Sequence, residues 1–220
     1  MNQQPIQRSS TIQYFLVELF DVVSFFIFIV GLLLCIRFFL FNPFTVVGQS
    51  MEPTFHENDF IIIDKITPQH DIIVGITDTI LPSSWSAAVS RSLPGIKRGD
   101  ILVFVPPGKD VPFIKRVVWL PWEVVKVADG KVSICNGSGN NCNPLNEYYL
   151  PSGTRTIASC NKDTFEVSWW FFVMGDNRGH TTDSMCCFGL ICTPDTNYIV
   201  PDNYIIGRVL YRVFPDSTRF

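Results

Sequence analysis

Residues 113–135 read Phe-Ile-Lys-Arg-Val-Val-Trp-Leu-Pro-Trp-Glu-Val-Val-Lys-Val-Ala-Asp-Gly-Lys-Val-Ser-Ile-Cys. Three β-branched or aromatic runs, Phe113–Trp119, Glu123–Val127 and Lys131–Cys135, are separated by Leu120-Pro121-Trp122 and by Asp129-Gly130. Such residues suit a pleated, half-buried surface, and Asp-Gly between two of these runs is a hairpin signal. Similar runs occur at Phe44–Val47, Phe60–Ile63, Ile101–Val105, Phe165–Val173 and Tyr204–Phe214, with Gly, Pro and Asn between them. The pattern predicts a mostly β fold over residues 42–220, built as an antiparallel sheet or a barrel-like arrangement.

Two stretches fit this sheet poorly. Residues 66–97, with Pro68, Pro82, Pro94 and an exposed-looking Trp85, read as an irregular excursion, and residues 185–200, with three cysteines and Pro194, read as a second insertion. Trp169-Trp170-Phe171-Phe172 is apolar on both faces, which suits a core or a surface resting on lipid.

Upstream the period changes. Nine of the 19 Phe lie between Phe15 and Phe44, and nothing from Val22 to Ile36 is charged. Val22–Phe41 is long enough to cross a bilayer, with Arg37 snorkelling at one end. A cleaved signal peptide is the alternative, but the apolar stretch is too long and no small-x-small site follows it. The organisation expected is a tail over 1–13, a retained anchor over 14–41 and one domain over 42–220. Arg8 and Arg37 nearly cancel, so charge leaves the orientation open.

A net charge of −3 without a basic stripe speaks against nucleic acid as a partner. Six of the seven cysteines (Cys135, Cys142, Cys160, Cys186, Cys187, Cys192) follow the apolar segment, while Cys35 lies in it. An even set in one domain suits disulfides and an oxidising compartment; reduced thiols in a cytosolic domain are the alternative. Cys135 and Cys142 flank a flexible Asn-Gly-Ser-Gly-Asn-Asn loop that a disulfide can close. With no CxxC, neither metal nor cofactor is expected.

Three clusters carry chemistry. Gly48-Gln49-Ser50-Met51-Glu52-Pro53-Thr54 offers a serine, which attacks a carbonyl only when a base takes its proton. His56 and His70 lie in polar loops and His180 has no evident acid beside it, so the base is sought elsewhere. On a strand, Lys115 shares a face with Phe113, Val117 and Trp119, while Arg116 points the other way. Burial there would have to lower the lysine pKa by roughly 2 units for it to act as a base near pH 8. A snorkelling edge lysine is the other reading. Met174 to Ser184 is a polar turn after a strand, and it lacks the spacing of an EF-hand.

Together these clusters resemble the type I signal peptidases, the Ser/Lys proteases of secretory signal peptides. Residues 48–54 match the nucleophile box, 98–104 a core-strand box, 114–118 the lysine box, 175–184 the Gly-Asp-Asn-Arg box, and Val200-Pro201 with Ile206-Gly207-Arg208 the closing strand. The resemblance implies Ser50 as nucleophile, Lys115 as general base and Met51 lining the substrate site. It implies supporting roles for Gly48, Arg116, Asp176, Asn177, Arg178 and Thr181, and an Asp183–Arg116 ion pair that holds the loop. It also implies preprotein substrates with small residues three and one places before the cut, and a strand-edge binding mode. The lipid bilayer and the secretion translocon are the further partners implied, with the catalytic domain outside a bacterial-type plasma membrane.

The departures are specific. Gly48 stands where some relatives carry a serine that helps hold the oxyanion, and Thr181 stands for the serine that steadies the lysine. Met185 replaces an arginine, Trp122 replaces the glycine of a Leu-Pro-Gly turn, and the 185–200 insertion has no counterpart that explains it. Rival readings are a peptidase dedicated to one secretion, pilus or conjugation substrate, a self-cleaving repressor, and a non-catalytic tethered protein that binds signal sequences.

Overall fold

The computed structural model describes residues 8–69, 76, 79–80, 82, 95–136, 139–158, 162–166, 170–192 and 198–220. The chain divides into two units, Met1–Phe41 and Asn42–Phe220. Among the described residues the first holds one helix, α1 (Arg8–Phe39). Its stretch Tyr14–Arg37 has a mean hydropathy of 2.8 and is long and apolar enough to cross a membrane. The helix starts inside the expected tail and stops before Leu40-Phe41, the end of the expected span.

The second unit is mostly antiparallel β. Its larger sheet runs in the order β1 (Phe41–Thr45), β2 (Phe60–Asp64), β10 (Ile205–Phe214), β3 (Ile101–Phe104), β4 (Phe113–Trp119) and β9 (Phe172–Met174), with β11 (Thr218–Arg219) paired to β10. The smaller sheet is β7 (Asn143–Pro144), β6 (Lys131–Cys135), β5 (Val124–Ala128) and β8 (Thr164–Glu166). The first strand starts three residues earlier than expected and contains Pro43. An edge position tolerates that proline, because one side of β1 has no ladder to donate to.

The β5–β6 hairpin turns as its sequence predicts. Asp129 and Gly130 both take positive φ, +54° and +81°, and Ala128 pairs with Lys131 across the turn. The expected single strand Phe165–Val173 is instead two strands, β8 and β9, in different sheets. An apolar run has no internal marker of where it changes partners. Of the Trp169–Phe172 cluster, Phe171 and Phe172 are core and Trp170 is half-buried, whereas Trp169 lies outside the described residues. Trp85 and most of 66–97 lie outside them too; Thr67–Gln69 is a short 3-10 turn.

Both faces of β4 are covered. Val117 packs with Leu102, Phe104, Val173 and Phe188, while Val118 and Trp119 pack with Val125, Phe165 and Phe172 against the smaller sheet. Buried on both faces, β4 is a rigid support for the charged pair it carries at positions 115 and 116.

Candidate active site

Ser50 lies in the turn that follows β1, and Lys115 lies on β4 opposite Leu102 of β3. The fold brings them together: Lys115 Nζ donates to Ser50 Oγ at 2.6 Å and to the Ile114 carbonyl at 2.9 Å. Lys115 is only 3% exposed, and its Nζ sits 5.4 Å from the centre of the Phe113 ring. Burial lowers its pKa to about 8, against the opposing pull of the Asp183 and Asp176 carboxylates. A substantial share of this amine is therefore neutral in mildly alkaline solution. That is the condition under which a lysine can accept a proton from a serine.

The serine is held by Asn177. Its backbone amide donates to the Ser50 carbonyl at 3.1 Å, and its Nδ2 donates to the Gln49 carbonyl at 3.0 Å. Gly48 before them has φ +86° and open space around its α-carbon. That conformation, rather than crowding, is what favours glycine there. Gly175 is constrained differently. A β-carbon on it would fall 2.5 Å from the Ser50 carbonyl oxygen and would overlap the Thr181 side chain.

Behind the pair lies a buried ionic frame. Arg116 Nε and Nη2 donate to the two oxygens of Asp176 at 2.9 and 2.6 Å, and Nη1 donates to the Gly99 carbonyl at 2.8 Å. The Thr54 hydroxyl donates to Asp176 Oδ2 at 2.5 Å, which ties the serine loop to the same carboxylate. Arg116 thus pairs with Asp176, not with Asp183 as the sequence led us to expect. Asp183 is buried and works on backbone instead: it accepts from the amides of Gly175 and Met185, both at 3.0 Å. Burial pushes its carboxyl up, and these amides oppose that.

Two other expectations fail. Met51 does not line the site; it is core, packed with Val46 and Phe55. The Thr181 hydroxyl makes no hydrogen bond to Lys115. It is buried near Asp183 and has no hydrogen-bond partner among the described residues.

Some partners were not foreseen. Arg178 Nη1 donates to Thr156 Oγ1 at 2.6 Å, and its guanidinium pairs with Glu147. The Tyr149 hydroxyl donates to Glu147 at 2.8 Å, and the Tyr149 ring lies 4.0 Å from the Arg116 guanidinium. Buried cations need such partners, but Asn146-Glu147-Tyr148-Tyr149 carries no pattern that says which of its residues will provide them.

An open cleft of about 610 Å³ leads to the pair. Residues 44–50 and 111–115 line it, together with Ile61, Val103, His180 and Thr182. Except near Gln49, Lys115, His180 and the hydroxyls, its wall is apolar.

A signal peptidase family model, peptidase S26, matches residues 19–214. This chain belongs to the signal peptidase family, peptidase S26. Membership makes it a serine endopeptidase that acts on signal peptides. A signal peptidase I from Bacillus licheniformis is 30% identical over 181 residues, covering 79% of this chain and 82% of that one. Another from Leptolyngbya laminosa is 32% identical over 194 residues, covering 84% of this chain and 75% of its own length. A crystal structure of a signal peptidase I from Enterococcus faecalis V583 overlays at a TM-score of 0.37 with 26% identity, covering 51% of this chain and 95% of that one.

Proposed function

We propose that Ser50 is the nucleophile and Lys115 the general base of a membrane-bound signal peptidase I. The observation that carries this is the 2.6 Å contact between a serine hydroxyl and a buried lysine whose pKa is lowered to about 8. Neutral Lys115 takes the hydroxyl proton as Ser50 Oγ attacks the scissile carbonyl. The protonated amine then returns that proton to the leaving amino group as the carbon–nitrogen bond breaks. Water, activated by the same lysine, releases the acyl-serine. The Ser50 amide donates to the developing oxyanion, and Gly48 adds no side-chain donor.

Asn177 fixes the serine loop, while Arg116, Asp176 and Arg178 form the frame behind it. Asp183 steadies the 175–185 turn, and Thr181 contributes by packing against Gly175. The substrate binds extended along the cleft, beside the edge strand β1, with small residues three and one places before the cut. α1 anchors the chain in the bilayer and residues 42–220 face the extracytoplasmic side, where preproteins emerge from the translocon.

The test is cleavage of a purified preprotein with an Ala-x-Ala site, in detergent, by wild type, Ser50→Ala and Lys115→Ala. Cutting after the second Ala by wild type alone supports the proposal. Cutting that survives Lys115→Ala shows that another group is the base.

A further inference from the structure

The segment after Asp183 has an unusual path. Asp183 caps a 3-10 turn, Ser184–Gly189, in which Cys187, Phe188 and Gly189 take positive φ of +49°, +54° and +74° in succession. Two of the three are not glycine, so this backbone persists only where its surroundings enforce it. The Cys187–Cys192 disulfide closes the loop from one side, and the amides of Cys186 and Phe188 donate to the Asp183 carbonyl from the other.

What this path achieves is the burial of Phe188, 1% exposed, beneath the cleft wall. Its ring meets Phe104 edge to face at 5.5 Å between centroids and Phe113 at 6.2 Å, while Phe104 and Phe113 lie 6.4 Å apart. Phe113 is the member of this trio that lines the cleft, next to Lys115. The same loop comes near the cleft a second time, because a β-carbon on Gly189 would fall 3.1 Å from the methyl of Thr182, another wall residue. A ring wedged between two others has one place to sit, so the depth of the cleft at Phe113 is set from behind.

We infer that Phe188, held by the Cys187–Cys192 loop, is a specificity-determining residue that keeps the substrate cleft shallow by buttressing Phe113. It touches no substrate; it acts through Phe113 as a positioning residue. This rests on the reading of the cleft as the peptide-binding site. It gives the cysteine-bearing stretch a purpose: the disulfide maintains the backbone that delivers the ring, and the ring limits the size of side chain accepted before the cut.

The experiment measures kcat/KM for two preproteins that differ only in Ala or Leu at the position before the cut, using wild type, Phe188→Ala, Phe188→Tyr and the double variant Cys187→Ser/Cys192→Ser. The Leu-to-Ala ratio is unaffected by the fraction of enzyme folded, so lost stability does not imitate the result. The account expects Phe188→Ala to raise that ratio by about tenfold, the scale on which apolar pockets discriminate a methylene or more. The double variant should move it the same way by a smaller factor, and Phe188→Tyr should leave it near wild type. A ratio unchanged in both Phe188→Ala and the double variant overturns the inference. Failure of wild type to cut either substrate would instead count against the function itself. If Phe188→Ala does not fold, the double variant alone decides.

Discussion

Lys115 is expensive to the fold while it is charged. Its pKa falls from 10.5 to about 8 on folding because burial disfavours the ammonium. Below about pH 8 both folded and unfolded chains hold the proton, and the folded state carries the full penalty of about 3 kcal/mol. Between about pH 8 and 10.5 the unfolded chain binds more protons than the folded one, so stability rises with pH across that window. Lys115→Met should accordingly raise stability at pH 7 by up to about 3 kcal/mol while abolishing cleavage, as read from the denaturant midpoint. A fall in the midpoint would mean that the charge is better compensated than its burial implies. Gly175→Ala makes a different demand: the new methyl must displace the Ser50 carbonyl or Thr181. A displacement of about 1 Å at the nucleophile costs about 100-fold in kcat, so this variant should be nearly silent yet folded. Retention of wild-type kcat would show that the serine loop is freer than Asn177 and Gly175 make it. The contact between Ser50 and Lys115 was legible in the sequence because each sits in a short, ordered box. The partner of Arg116 was not, since two aspartates seven residues apart follow β9 and only the turn between them determines which one reaches the guanidinium.

The elements divide into those that a local signal fixes and those that it does not. Asp129-Gly130 dictates its own turn, and the β-branched runs at 101–105, 113–119 and 131–135 fall on strands almost residue for residue. The split of 165–173 between two sheets was hidden, because strand exchange depends on long-range packing rather than on period. The described start of the 185–200 insertion was equally opaque, as nothing local announces three successive positive φ values. The Arg116–Asp176 pair is a bidentate link between β4 and the turn after β9. Both side chains are buried, and Arg116 accepts no conservative replacement that keeps the bidentate geometry. Asp176→Asn should cost about 3–5 kcal/mol, because it leaves a buried guanidinium without its counter-charge. Chemical denaturation measures this directly, and a loss under 1 kcal/mol would assign the frame to Tyr149 and Gly99 instead.

For the molecule as a whole, an apolar helix precedes a β unit that carries the serine, the lysine and the cleft. Cys135–Cys142 and Cys187–Cys192 are both disulfides, and Cys186 is disulfide-bonded as well. Such bonds persist in an oxidising compartment, which supports an extracytoplasmic β unit. Protease added to intact cells should therefore reach residues 42–220, whereas protection until lysis would reverse the topology. The architecture was broadly legible from composition and period; the cleft was not, because its wall gathers residues from β1, β4 and the 180–182 turn that are far apart in the chain. The central claim is that a desolvated lysine, and neither His180 nor an ordinary surface amine, activates the serine. It is tested most directly by the pH dependence of kcat/KM for a preprotein with an Ala-x-Ala site. The account predicts a tenfold rise per pH unit at low pH that levels off at about pH 8, the pKa to which burial lowers Lys115. An inflection near pH 6.5 would implicate a histidine as the base, and one near 10.4 would mean that Lys115 is not desolvated as the structure requires.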